Sequence, residues 1–303
     1  MQLFPKKLSQ IYLVLFVSAF LTITGNFTFF QKTLLVYPLS ENWLFLGSLF
    51  FFLFTFLAAL LLLFCYRVTT KPILMVLLMI SAIVSYSTNN YGIVFDHNMI
   101  LNTFETDTSE FLDLVSFKSI LYFFIFGLLP SIFVLKVKLK KISFKAQLWE
   151  RIKTFLVLVI IFVIIVLTFS KHYSSFAREN RDLRLYITPT YYLYSATKFV
   201  DSKFATSTKP FKEIGLDAKL NKKSDKRRLV ILVVGETARA DHMSLNGYDR
   251  NTNPYLEQEE IISFDKMTSC GTDTALSVPC MFSLLDRSSY NHAKGKNMSN
   301  VLD

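Results

Sequence analysis

The sequence predicts a multi-pass α-helical membrane domain of five spans followed by the start of an α/β domain. Three observations carry that reading. Five long charge-free runs fall before residue 171, at 8–31, 42–66, 72–95, 119–135 and 154–170. Lysine and arginine collect in alternate loops between those runs. After residue 228 the composition turns polar around one uninterrupted aliphatic stretch, Leu229-Val230-Ile231-Leu232-Val233-Val234. The chain accordingly divides into a membrane part over 1–170, a connector over 171–228 and the amino-terminal part of an α/β domain over 229–303.

Composition supports the membrane part. The chain is 52% hydrophobic and 16% aromatic, with 31 phenylalanines, against the roughly 45–50% apolar share of a soluble domain. Because the excess sits in discrete runs, it reads as spans rather than as an enlarged core. The net charge of +10 would suggest nucleic acid in a soluble protein. Here the cations gather at the ends of the apolar runs, so membrane topology accounts for them and nucleic acid is not needed as a partner. There is no internal repeat and no low-complexity tract.

A spanning helix needs about 20 mainly apolar residues. The last two runs are short but dense in Phe, Ile, Leu and Val, so all five are read as spans. The first follows Lys6 and Lys7, as a signal peptide would, but it is too long for such a segment and lacks an Ala-x-Ala cleavage site. It is read as an anchor. Lys6 and Lys7 precede the first span, Arg67 and Lys71 lie between the second and third, and seven cations from Lys136 to Lys153 lie between the fourth and fifth. The opposite loops hold Lys32 and Lys118. The positive-inside rule then places the amino terminus in the cytoplasm and everything beyond about residue 171 outside.

The loop between the third and fourth spans is acidic and rich in amides and hydroxyls. In it Asn102, Thr106 and Glu110 recur at i, i+4 and i+8, one face of a helix. An amide, a hydroxyl and a carboxylate beside the membrane suit a phospholipid head group with an ammonium; the same face also reads as simply solvated. In the connector, Pro189 breaks any continuous helix, and the tyrosine-rich stretch 191–199 suits the membrane interface. The basic segment 219–228 reads equally as a contact to anionic lipid or as a solvated linker.

Beyond it, the 229–234 run has no polar alternation, which suits a central parallel strand buried on both faces. Ligands of open α/β sheets bind beyond the carboxyl ends of strands, where Glu236 falls. A carboxylate there is a ligand for a divalent cation, or else a helix cap. Asp241 reads as a partner of Arg239. Of the three cysteines, Cys65 lies in an apolar run and reads as a small hydrophobe. Cys270 and Cys280 flank a polar loop, and a disulfide between them would need the oxidising space in which the topology puts them. Inside that loop Gly271 permits a tight turn, and Thr272-Asp273-Thr274-Ala275 precedes an apolar stretch as a helix start does. A threonine at such an end faces free backbone N–H groups, which favour a phosphate; the residue is either a cap or a nucleophile that needs activation.

Gly235-Glu236-Thr237-Ala238-Arg239-Ala240-Asp241-His242, then Asn246-Gly247-Tyr248, then Cys270-Gly271-Thr272-x-Thr274-Ala275-x-Ser277-Val278-Pro279-Cys280-Met281-Phe282, resemble the phosphoethanolamine transferases of Gram-negative envelopes. These include lipid A-modifying and mobile colistin-resistance enzymes. The resemblance extends to the five-span anchor and so covers essentially the whole chain. It implies a bacterial inner-membrane enzyme with a periplasmic domain like the alkaline phosphatases and sulfatases. It implies that Glu236 and Thr274 bind Zn²⁺, that Thr274 is the nucleophile, that Cys270 pairs with Cys280, and that Asn102, Thr106 and Glu110 contact the lipid head group. The donor implied is phosphatidylethanolamine and the acceptor lipid A, with resistance to polymyxin as the outcome. A core sugar or periplasmic glucan as acceptor, or a non-catalytic membrane remnant, are the other readings. The family's remaining zinc ligands, an Asp-His pair and a further His, have no counterpart in the 75 residues after Arg228. The expectation is therefore a truncated domain, inactive as it stands.

Overall fold

The computed structural model describes residues 7–301 apart from 106–114, 141, 205–210, 218, 220–228, 236–237, 265, 273, 291–294 and 296–297. The chain divides into two compact units, Met1–Phe204 and Ala205–Asp303.

The first unit is helical. It contains α1 (Gln10–Gly25), α2 (Phe27–Val36), α3 (Leu39–Phe64), α4 (Thr70–Tyr91), α5 (His97–Glu105), α6 (Phe117–Lys136), α7 (Phe144–Thr168), α8 (Ser170–Glu179) and α9 (Thr190–Phe204). Helices α3, α4, α6 and α7 are each long and apolar enough to cross a membrane. Helices α1 and α2 meet at 57° and are apolar enough to cross only as a pair, which brings the candidate spans from four to five if the pair is one broken span rather than a re-entrant loop. Apolar side chains face outward along these helices, as with Ile160, Ile164 and Leu167 on α7. Small polar ones, Ser18, Thr22, Thr55, Ser81, Ser85 and Ser131, lie buried between them. That inversion suits lipid, where close helix approach and interhelical hydrogen bonds drive packing.

Two departures from regular helix and one early helix start have identifiable causes. At the α1–α2 break, the buried Asn26 side chain donates to the carbonyls of Leu21, Thr22 and Thr188 at 3.2, 3.3 and 2.8 Å. It also accepts from the Thr188 N–H at 2.9 Å. A break at membrane depth frees backbone groups that water cannot reach, and Asn26 supplies a partner to carbonyls in the last turns of α1 while tying the break to Thr188. In α6 the turn Phe124–Leu128 widens into a π-helix directly ahead of Pro130, which has no N–H to give the α ladder. There Gly127 lets α6 approach α4, since a Cβ at that position would sit 3.1 Å from Ala82 Cβ. Helix α7 begins ten residues before the charge-free run at 154–170, capped by Ser143, whose side chain accepts from Ala146 N–H.

That early start lets α7 reach the end of α3. Arg151 donates through Nη1 and Nη2 to the carbonyls of Cys65 and Leu62. Gln10 donates to the Cys65 carbonyl at 2.9 Å and to the Thr70 hydroxyl, and accepts from Gln147. Helix α8 closes the other end through an aromatic cluster in which Phe45 touches the rings of His172, Tyr173 and Phe176.

The second unit holds α10 (Thr274–Met281) and short 3-10 turns at Ala240–His242, Ser244–Asn246 and Leu256–Gln258. The strand expected at 229–234 does not form. Its residues carry no regular structure and are exposed, Val230 by 85%. A parallel strand is stable only between neighbours that cover it, and among the described residues there is no ladder, only the isolated bridges Leu8–Leu139 and Lys212–Met298.

Replacing Asn26 by Ala should leave the Thr188 N–H and C=O without their partner and lower unfolding stability in detergent by about 1–2 kcal/mol. Reversible SDS unfolding checks this. Thr28→Val, which removes one hydrogen bond to Asn89, should cost about 0.6 kcal/mol.

Candidate active site

The polar loop from Cys270 to Cys280 is closed by a disulfide with Cα atoms 6.3 Å apart, within the usual range for a bridge. Cys280 is buried. The loop is drawn tight at Gly271, where a Cβ would meet the Leu276 side chain, so a larger residue would push that side chain aside. Ser269 Oγ donates to the Gly271 carbonyl at 2.5 Å and accepts from its N–H at 3.2 Å. The Arg287 guanidinium donates to the Cys270 carbonyl. Thr274 is the first residue of α10 and is exposed. The sequence expectation of a helix start at this threonine therefore holds, and its hydroxyl sits at the positive end of the helix dipole.

Upstream, the second half of the glycine–glutamate motif folds into a turn around Asp241. Arg239 grips that carboxylate bidentately at 3.0 and 2.6 Å, and His242 Nδ1 lies 3.0 Å from Asp241 Oδ1. The hydrogen bond from Arg239, then that from His242, holds the Asp241 carboxyl down at about 2 against an ordinary 3.8. Tyr248 stacks on His242 with centroids 4.8 Å apart, and Asn246 donates to the Ala240 carbonyl at 2.9 Å. All these groups are exposed or nearly so, so the pair orders the turn and adds little stability. Glu236, in the first half of the motif, lies outside the described residues.

In the helical unit, Asn102 stands half-buried on α5. Asp96 caps that helix by accepting from the Met99 N–H at 2.8 Å. Helix α5 is docked on α9, with Phe104 stacked on Phe199 at 5.2 Å and His97 edge-on to the same ring at 6.1 Å. Thr106 and Glu110 lie outside the described residues, as does most of the basic segment 219–228. The α5–α9 pairing joins residues nearly a hundred positions apart; no local pattern announces it.

A catalytic zinc takes three protein ligands. No three of His, Cys, Asp and Glu come together among the described residues, and Asp241 and His242 are engaged with each other. The described residues do not by themselves make a zinc site.

Two family models match the chain: phosphoethanolamine transferase EptA/EptB over residues 53–204 and sulfatase over 228–303. The chain is 39% identical over 306 residues to phosphatidylethanolamine transferase Mcr-1 of Escherichia coli, covering 99% of this chain and 57% of the relative. It is 30% identical over 303 residues to phosphoethanolamine transferase EptA of Salmonella typhimurium, with 98% and 55% covered. The solved integral membrane protein lipooligosaccharide phosphoethanolamine transferase A from Neisseria meningitidis superposes with a TM-score of 0.89 at 30% identity, over 98% of this chain and 56% of that one. The chain thus spans little more than half the length of the relatives it matches.

Alkylation of the denatured chain should label one thiol, Cys65, without reductant and three after reduction, read by intact mass. In the chain-entropy model, breaking the eleven-residue loop should cost the second unit ~3 kcal/mol. The Cys270→Ser/Cys280→Ser variant should therefore be cleaved faster by protease beyond residue 205 than the parent.

Proposed function

Because the chain belongs to the phosphoethanolamine transferase EptA/EptB family, we propose that it carries the donor half of a transfer of phosphoethanolamine from phosphatidylethanolamine to lipid A. The observation that carries the reading is the position of Thr274: first residue of α10, at the mouth of a disulfide-closed loop, in a chain with the fold of a phosphoethanolamine transferase. The donor is supported by the name of Mcr-1. The acceptor is supported by the lipooligosaccharide named for the Neisseria protein.

In the proposed reaction the Thr274 oxygen forms a bond to the donor phosphorus. The bond from phosphorus to diacylglycerol oxygen breaks, and the threonine proton ends on that leaving oxygen. A phosphate oxygen of lipid A then forms a bond to that phosphorus as the bond from phosphorus to the Thr274 oxygen breaks, and the proton of the lipid A phosphate hydroxyl passes to the Thr274 oxygen. The contribution of this chain is positional and electrostatic: backbone N–H groups of the first turn of α10 face the phosphoryl oxygens, and the bridge with Gly271 keeps the hydroxyl from wandering. Asn102, Thr106 and Glu110 enter the proposal as contacts to the donor's ammonium head group. Glu236 and Thr274 enter as two of the ligands of a Zn²⁺ ion; as the described residues do not complete its shell, no step is derived through it. The proposed setting is the bacterial inner membrane with the second unit in the periplasm. There the added ammonium would offset lipid A phosphate charge and weaken binding of polymyxin.

The test is intact-protein mass spectrometry of the chain purified from membranes containing phosphatidylethanolamine. Against the sequence expectation of an inactive chain, the result expected of this proposal is an adduct of about 123 Da, the covalent intermediate of nucleophilic catalysis, present on the parent and absent from Thr274→Ala. An adduct that survives Thr274→Ala would place the nucleophile elsewhere. No adduct on either chain would remove the donor half-reaction from this chain.

A further inference from the structure

One edge of the helical unit is open between α1 and α6. Leu8, just ahead of α1, and Tyr12, Phe16 and Phe20 along it recur every fourth residue, and Leu129 and Phe133 do the same on α6. That spacing sets each group in one stripe of its helix, and the two stripes wall a groove of about 710 Å³. Phe16 and Phe133 meet across it with ring centroids 5.7 Å apart. From residue 8 to residue 20 it runs about 18 Å at 1.5 Å per residue, little more than half of a hydrocarbon core ~30 Å thick. The groove is one leaflet deep.

Its Leu8 end is basic by construction. The Leu8 N–H donates to the Lys138 carbonyl at 2.9 Å, and its carbonyl accepts from the Lys140 N–H at 3.0 Å. This pins the segment after α6 to the mouth of the groove. Alternate side chains of an extended segment point opposite ways: Val137 and Leu139 pack on the core, leaving Lys138 and Lys140 exposed. Lys7 precedes the bridge and Lys136 ends α6. From α4, Lys71 reaches over to donate to the Leu135 carbonyl at 2.7 Å. Among the described residues none of these five cations has an ion-pair partner. A stripe of apolar rings one leaflet long, ending in unpaired lysines, matches one kind of molecule.

We propose that the groove between α1 and α6 binds an anionic phospholipid of the leaflet at the amino-terminal end, an acyl chain between the stripes and the phosphate against the Lys138–Lys140 turn. Charge complementarity selects the class, since a zwitterionic head would bring its own ammonium to the lysines. The site is separate from the head-group loop, which follows the opposite end of α4.

The experiment is native mass spectrometry of the delipidated 303-residue chain in detergent, titrated with phosphatidylglycerol and with phosphatidylcholine of the same acyl chains. The parent should retain phosphatidylglycerol preferentially. K138Q/K140Q should reduce that preference by up to roughly thirtyfold, two lysines at about 1 kcal/mol each and 1.4 kcal/mol per factor of ten. Leu129→Trp, which fills the groove from α6, should lower retention of both lipids. Lys32→Gln, beyond the break in the first span, should change neither. Should K138Q/K140Q not be monodisperse, K7Q/K136Q reads the same charge from the other flank. Equal retention of the two lipids by the parent would overturn the proposal, as would a preference that survives both double variants. A dimer mass in place of lipid adducts would also overturn it, by giving the groove to a second copy of the chain.

Discussion

Gln10 is the point at which four helices are made to agree. The last carbonyls of α3 have no intrahelical donors, and in a hydrocarbon surrounding each unsatisfied group costs several kcal/mol. Arg151 of α7 and Gln10 of α1 supply those donors, while Thr70 of α4 and Gln147 of α7 complete the valences of Gln10. The guanidinium also places positive charge at the negative end of the α3 dipole. Helix α7 fully buries only Gln147 and Leu158, and Phe162 packs on Phe52 and Phe56 of α3 further along. The polar knot and this aromatic contact together set the position of a helix much of whose surface is exposed.

The same knot explains where the sequence was legible and where it was not. Charge-free runs located every span, because transfer of apolar side chains into lipid is a property of local composition. The boundaries were harder. Arg151 and Lys153 looked like loop charges and are helix residues, one spent on α3 carbonyls and the other lying over the Trp149 ring. The bend at Asn26 hid inside an apolar run, because its cause is Thr188, 162 positions away. Pro130 lies in the interior of α6 and accounts for the π-turn ahead of it, a local break that a charge-free run does not reveal.

In the second unit the legible part was again the local one. The start of α10 followed from a glycine, hydroxyl-bearing residues and an apolar run, all signals within a few positions. The pairing of Asp241 with Arg239 needed only a two-residue span. A strand at 229–234 depends on neighbours brought from elsewhere, and six aliphatic residues do not make a sheet alone. The disulfide and the place of Thr274 at a helix start are seen in the structure, while the roles of Glu236, Thr106, Glu110 and Thr274 rest on motif resemblance.

The break in the first span has a consequence for length. Helix α1 has 16 residues and α2 has 10, about 24 and 15 Å at 1.5 Å per residue. Unbroken, the two helices, Lys32 included, would measure roughly 40 Å, well beyond a hydrocarbon slab of ~30 Å. With α1 along the normal, the 57° turn shortens the projection of α2 to about 8 Å, and the pair then reaches roughly 32 Å. If the pair is one span, the turn at Asn26 brings its reach closer to the thickness of a bilayer and lessens the mismatch that tilting or a thickened membrane would otherwise absorb.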